Sequence, residues 1–256
     1  MDTLVAGLPL WAFLLASAVT LGAGFVKGAI GFAMPLILIA VLPSFMPAPV
    51  ALAALILPVL ATNAHQALRH GWAPALAAGK SFWRLIAATV VGILITAPFV
   101  LVLPQQVMFL LLGAAVLFFT GLQISGWAPD IPRRWRHPIE ALTGFVGGLY
   151  GGISGVWGPP TIVYLLAAKV EKTEMVRVMS VLFAIGAVVL TVAHLRSGVL
   201  NAETAKLSAA MLVPAGIGMW LGYKAHDSMD PVRFKRWTLL LLALSALNLL
   251  RKGFFG

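Results

Sequence analysis

Long apolar runs separated by short polar segments dominate the chain. Helices of about 20 apolar residues cross the hydrocarbon core of a bilayer. Six uninterrupted runs have that length, at 48–68, 83–103, 106–124, 175–195, 204–224 and 234–250. Because unpaired backbone groups are costly in lipid, each run is predicted to form a closed helix. The pattern predicts an all-α polytopic membrane protein.

Two further apolar regions, 4–43 and 139–168, are interrupted by glycine and proline. Their breaks, 22–35 and 144–160, span 31 residues and hold 11 of the 25 glycines. Glycine lets the backbone leave the helical conformation, and proline suits the first turn of a new helix. The sequence therefore predicts an interrupted helical region at each place.

The two breaks resemble each other. Residues 24–28 (Gly-Phe-Val-Lys-Gly) match residues 144–148 (Gly-Phe-Val-Gly-Gly), 120 positions later. Residues 68–71 (Leu-Arg-His-Gly) likewise match 195–198 (Leu-Arg-Ser-Gly). This order indicates an internal duplication. We predict a first repeat at 1–124, a linker at 125–138 and a second repeat at 139–256, each repeat with an interrupted region followed by three transmembrane helices.

Composition agrees with a membrane location. Of 256 residues, 61% are hydrophobic and only 10% are charged, against about 25% charged in soluble domains. The net charge of +10 comes from basic residues that separate apolar runs, so a nucleic-acid partner is not expected. The absence of cysteine excludes thiol chemistry, and no metal or cofactor is predicted.

Basic residues indicate the orientation. If each interrupted region makes no net crossing, the halves are inverted, and 13 basic residues fall on one side against 4 on the other. The richer side is then cytoplasmic and contains 69–84, 125–138, 169–177 and 224–236. If each region crosses once, the repeats are parallel and the division is 10 to 7. Charge favours the inverted arrangement.

The breaks are the first candidate site. A helix start presents unpaired N–H groups that attract anions, and inverted repeats with interrupted helices are typical of secondary transporters. The candidate substrate-binding residues in the breaks are Gly24, Lys27, Gly28, Gly31, Pro35, Gly148, Gly151, Gly152, Ser154, Gly155, Trp157, Gly158 and Pro159. Close helix packing through the GxxxG pairs is the alternative interpretation.

Polar residues at matching helix ends extend the candidate set. They are Asn63, His65, Gln66 and Arg69 in the first half, and His194 and Arg196 in the second. Arginine and histidine bind oxyanions, although anchoring at the membrane interface would also explain the arginines. Lys27 lies within an apolar run, where it either meets an anion or extends to the surface. Aspartate and glutamate occur only at segment ends or in loops, which argues against a cation as substrate.

A protease hypothesis competes with transport. Residues 152–155 (Gly-Ile-Ser-Gly) with His194 resemble the Ser/His dyad of an intramembrane serine protease. Such a dyad requires Ser154 and His194 within hydrogen-bond reach.

Three sequence features together resemble the TauE/SafE family. They are residues 23–32 (Ala-Gly-Phe-Val-Lys-Gly-Ala-Ile-Gly-Phe) with Pro35, the helix end at 63–69, and the glycine pattern of 144–160. The resemblance implies a permease of the bacterial plasma (inner) membrane rather than an enzyme. It implies export of a small anion such as sulfite or an organosulfonate, by alternating access and without a cofactor. Transport of another small solute and homo-oligomerisation stay open.

Overall fold

The computed structural model describes residues 3–5, 7–69, 71–126, 130–225 and 231–255. Two short strands, β1 (Thr3–Val5) and β2 (Leu8–Pro9), precede the helices. The helices are α1 (Leu10–Ile30), α2 (Met34–Val41), α3 (Ala48–Leu68), α4 (Trp72–Ser81), α5 (Trp83–Thr96), α6 (Gln105–Ser125), α7 (Arg136–Ser154), α8 (Gly158–Ala167), α9 (Lys172–Ser197), α10 (Ala202–Ala210), α11 (Leu212–Ala225) and α12 (Pro231–Phe255). Short 3₁₀ segments lie at Leu42–Ser44, Ala97–Leu101 and Arg133–Trp135.

In these described ranges, seven helical spans are long and apolar enough to cross a membrane. Six coincide with the uninterrupted runs, and the seventh, Leu10–Ile30, belongs to the first interrupted region. The all-α membrane fold is thereby confirmed. Two local features differ from the sequence-based expectation. The apolar region that begins at residue 4 starts with the β1–β2 hairpin, which turns at Gly7 (φ 72°), and segment 69–84 contains helix α4.

The first interrupted region is a helical hairpin. Helix α1 ends where Gly31 adopts a left-handed conformation (φ 86°), and α2 starts after Ala33, which is also left-handed (φ 79°). Pro35 occupies the first turn of α2. The rings of Trp11 and Phe45 lie 6.2 Å apart, so the region begins and ends at the same edge of the protein.

The second interrupted region has the same form. Helix α7 ends at Gly155 (φ 72°), and α8 begins at Gly158 with prolines in its first turn. Asp130 precedes α7 and Lys169 follows α8, yet their side chains form a 2.7 Å ion pair. Lys169 lowers the pKa of Asp130, so this contact weakens as the pH falls through that lowered value. The pair places both ends of the hairpin on one side.

Each hairpin packs on a helix of the other half. Helix α1 lies along α11, α7 lies along α5, and the terminal helices α6 and α12 pair with each other. Glycines allow close contact, because a Cβ at Gly28 would collide with the carbonyl of Met219 and one at Gly148 with that of Thr89. Helices α3 and α9 form the centre: 61% of each span is buried, against 33–39% for the other five.

The inverted arrangement requires that each hairpin begins and ends on the same side, as both do here. The inversion itself stays a prediction. The chain has no cysteine, so single cysteines can be introduced at Lys169 and Ala202, near opposite ends of α9. We expect a membrane-impermeant maleimide to label Lys169→Cys from the cytoplasmic face and Ala202→Cys from the outer face. Labelling of both from one face would contradict the inverted model.

Candidate functional site

The two breaks meet at one small cavity, which we call the central pocket. It has a volume of about 30 Å³, enough for one or two water molecules. Residues of both hairpin tips and of three other helices line it: Phe32, Ala33, Pro35, Leu36, Asn63, Gln123, Gly155, Val156, Trp157, Gly158, Pro159, Ile162 and Phe183. The starts of α2 and α8 therefore approach the same space. The first-turn N–H groups of Met34, Leu36 and Gly158 lack partners inside their helices, whereas the prolines beside them carry no N–H.

Lys27 lies behind the central pocket. Its side chain is 1% exposed, so it does not extend to the surface. The ammonium donates to Thr62 Oγ1 at 2.9 Å and to Asn63 Oδ1. Both acceptors are neutral, and Lys27 forms no ion pair among the described residues. The site thus holds a buried amine with no counterion among the described residues, and the positive charge of its protonated form is costly unless another group compensates it.

Asn63 links this charge to the pocket. Because its Oδ1 accepts from Lys27, its amide nitrogen is the group left to donate, and it donates to the Phe183 carbonyl at 3.1 Å. An amide nitrogen carries two hydrogens. One donor therefore remains on a residue that lines the central pocket.

A larger cavity, the vestibule, adjoins this region. Its volume is about 430 Å³, and it lies among the ends of α1, α3 and α11 and the starts of α4 and α9. Gly28, Gly31, Gln66 and Arg69 of the candidate set line it. Gln66 Nε2 donates to the Gly31 carbonyl at 2.7 Å. This bond joins two residues that line the vestibule, and the next residue after Gly31, Phe32, lines the central pocket.

Arg69 is exposed and has an aromatic partner. Its guanidinium carbon lies 4.7 Å from the centre of the Tyr223 ring. A guanidinium carries five N–H donors, more than its contact with one tyrosine engages. Arg69 thus presents donors at the vestibule.

Other candidate glycines contact neighbouring helices. Gly24 faces the backbone of α11 and Gly152 that of α5, while Gly151 packs on the Trp157 ring. These contacts, with those of Gly28 and Gly148, agree with the packing interpretation of the GxxxG pairs. Of these five glycines, only Gly28 lines the vestibule and none lines the central pocket. Substrate contact by the other four is a prediction without support from this geometry.

Gly28→Ala is expected to destabilise the protein, whereas Gly22→Ala on the same helix should not. A Cβ at Gly28 would collide with the α11 backbone, while one at Gly22 would meet no described atom of another segment within 4 Å. Overpacking of this kind costs about 1–3 kcal/mol. Thermal unfolding in detergent should show a midpoint lower by about 5 °C for Gly28→Ala alone. Equal midpoints would mean that α1 and α11 separate without cost.

Ser154 and His194 do not form a dyad. Ser154 Oγ donates to the Tyr150 carbonyl at 2.8 Å and accepts from the Val156 N–H at 3.1 Å. The His194 ring nitrogens lie 3.0 Å from the Gly152 carbonyl and 3.2 Å from Ser197 Oγ. Both side chains fix the second break and its contact with α9. The protease alternative has no support.

His65 and Arg196 lie apart from these cavities. Both are exposed, and neither lines the central pocket or the vestibule. The His65 ring lies 6.2 Å from the Tyr223 ring. A direct role of either residue in substrate binding stays a prediction.

Two polar residues of interest escaped the sequence analysis. Gln123 lines the central pocket, and both of its amide atoms are buried without a hydrogen-bond partner among the residues that the structure describes. Glu140 is 3% exposed, with its carboxylate 3.3 Å from the Leu85 N–H and 3.5 Å from the Tyr164 hydroxyl. Gln123 could have been identified from the sequence, because it is a polar residue inside the apolar run 106–124.

In the described part of the chain, no three His, Asp or Glu side chains gather as metal ligands.

Comparison with known proteins agrees with this architecture. The sequence pattern of the family described as "Sulfite exporter TauE/SafE" matches residues 16–249. The "Probable sulfite/organosulfonate exporter TauE" of Cupriavidus necator is 29% identical over 162 residues, which are 60% of this chain and 62% of that relative. The match thus spans less than two thirds of the relative's length. No solved structure matches the chain. With seven apolar spans among its described residues and a family match over most of its length, the chain is a multi-pass membrane protein and belongs to the TauE/SafE family.

Proposed function

We propose that the protein exports a small oxyanion, such as sulfite or an organosulfonate, across the bacterial plasma membrane. The central pocket binds the anionic group, and alternating access moves it across. The name of the Cupriavidus necator relative supports this choice of substrate. The observation that carries the proposal is the buried ammonium of Lys27, which has only neutral partners, Thr62 and Asn63, behind the pocket where both breaks meet.

The polar groups around the pocket favour an anion over a cation. Asn63 has one amide hydrogen left to donate, and the Gln123 amide nitrogen is buried with no partner in the described part of the chain. The starts of α2 and α8 add partial positive charge. A sulfite or sulfonate group offers three acceptor oxygens to these donors. A metal cation would instead meet the positive charge of Lys27.

Alternating access agrees with the two cavities and with the hairpins. The vestibule reaches inward to the Gln66–Gly31 hydrogen bond, and the central pocket begins one residue later, at Phe32. Each hairpin rests on a helix of the other half. A movement of one half against the other would open the pocket to either side in turn.

Radiolabelled sulfite flux into proteoliposomes tests the proposal. We expect saturable sulfite flux and no saturable flux of sodium ions in the same vesicles. Asn63→Leu should reduce sulfite flux by about tenfold to a hundredfold, because a hydrogen bond to a charged group contributes about 1.5–3 kcal/mol. Asn248→Leu is the matched control, since Asn248 bonds to Ser44 outside both cavities.

The opposite results would assign another function. Saturable sodium flux without sulfite flux would overturn the anion proposal and favour another small solute. Sulfite flux that Asn63→Leu and Asn248→Leu reduce equally would remove the central pocket from the mechanism.

A further inference from the structure

We propose that the vestibule is a second anion site, in which Arg69 and Arg177 capture the substrate before it enters the central pocket. The inference rests on the proposed function and adds a separate binding step on the predicted cytoplasmic side. Its ligand class is a small organosulfonate with a short aliphatic tail.

The charge of the vestibule is the first argument. Arg69 at the end of α3 and Arg177 near the start of α9 both line this cavity, so each half contributes one guanidinium. The described residues that line the vestibule include no aspartate or glutamate. A concave surface with two cations and no lining carboxylate concentrates anions and speeds their capture.

The partners of the two arginines leave them available. Arg69 stacks on the Tyr223 ring and forms no ion pair among the described residues. Arg177 Nη1 lies 3.6 Å from Glu174 Oε2, and the two side chains are 41% and 34% exposed, respectively. Ion pairs at this exposure are weak. An oxyanion that binds both guanidiniums can therefore replace the Glu174 contact.

The size of the vestibule sets the ligand class. Its volume of about 430 Å³ is many times the 30 Å³ of the central pocket. Apolar side chains of Ala67, Pro74 and Val181 also line it. A two- or three-carbon sulfonate fits with its oxyanion at the arginines and its tail along this wall. The central pocket has room for the anionic group alone, and only after it widens.

Transport measured from each face separately tests the vestibule site. The test uses inside-out and right-side-out membrane vesicles that contain the wild type, the double variant Arg69→Gln/Arg177→Gln, or a control variant, with radiolabelled ethanesulfonate as the probe. The control is Arg134→Gln, at an exposed position of the segment Arg133–Trp135 that lines neither cavity. We expect the double variant to raise KM about tenfold in inside-out vesicles, with the maximal rate within about twofold, because capture is weakened and translocation is not. KM in right-side-out vesicles should not change, and the control should match the wild type on both faces.

Specific results would overturn the vestibule site. An unchanged KM in inside-out vesicles would do so, and so would an equal rise on both faces or a lower maximal rate at constant KM. If the double variant does not accumulate in the membrane, Arg69→Gln and Arg177→Gln are measured separately. Each should then raise KM in inside-out vesicles about threefold. Absence of anion flux in the wild type would overturn the proposed function as well, whereas normal wild-type flux with unaffected variants would overturn the vestibule site alone.

Discussion

Replacing Lys27 with methionine is expected to reduce anion transport about a hundredfold or more, while the protein stays folded. In the proposed site, the ammonium is the full positive charge that balances the bound oxyanion. Removing one partner of a buried, hydrogen-bonded charge pair costs about 2–5 kcal/mol. In the unchanged protein, Asn63 Oδ1 accepts a hydrogen bond from Lys27. The substitution removes that bond, so the Asn63 amide is no longer held with its N–H donor toward the pocket.

Stability separates this effect from misfolding. Lys27 is 1% exposed and has no carboxylate partner among the described residues. Methionine of similar length should therefore leave the unfolding midpoint equal or higher, because a buried charge is lost. Lys80→Met, at an exposed position of α4, is the matched control and should transport normally. Normal transport by Lys27→Met, or a large fall in its midpoint, would contradict the role of Lys27 as the counterion.

Membrane potential alone is expected to drive accumulation. For a monoanion, a potential of 100 mV is worth about 2.3 kcal/mol, or an equilibrium ratio of about 50-fold toward the positive side. No carboxylate of the described residues lines the central pocket. Glu174 and Glu203 lie in the first turns of their helices, and Glu140 contacts Leu85 and Tyr164. The pocket thus offers no acidic side chain to couple the anion to a proton.

Proteoliposomes with a potassium gradient and valinomycin provide the measurement. The final ratio of a labelled monovalent sulfonate should reach about 50-fold at 100 mV without a pH gradient, and it should stay near one when the voltage is zero. Vesicles without protein are the control for leakage. Accumulation that follows an imposed pH gradient and ignores voltage would contradict voltage-driven export.

The sequence predicted the spans and the breaks because both depend on local composition. Apolar length determines where a helix can cross lipid, and the glycine and proline clusters that end at Pro35 and Pro160 mark where it stops and restarts. The β1–β2 hairpin and α4 were missed because segments this short carry weak periodic signals, whether they are apolar or mixed in composition.

The environment of the site could not be predicted, because it depends on contacts between distant segments. Lys27 meets Asn63 across 36 positions, and the burial of Glu140 depends on α5 and α8. The sequence alone could not decide whether Lys27 extends to the membrane surface or meets an anion. It also could not tell which glycines serve packing, since the partners of Gly28 and Gly148 lie in the other half of the chain.

The exchange of hairpins between the halves has a consequence for biosynthesis. Helix α1 enters the membrane early, but its partner α11 is made about 180 residues later, which takes roughly 10–40 seconds at ordinary translation rates. During that interval the glycine face of α1 has only lipid or insertion machinery beside it. The first half is therefore an unfinished assembly until the ribosome has nearly completed the chain. We therefore expect either half, when it is made alone, to be incompletely packed and exposed to membrane proteases.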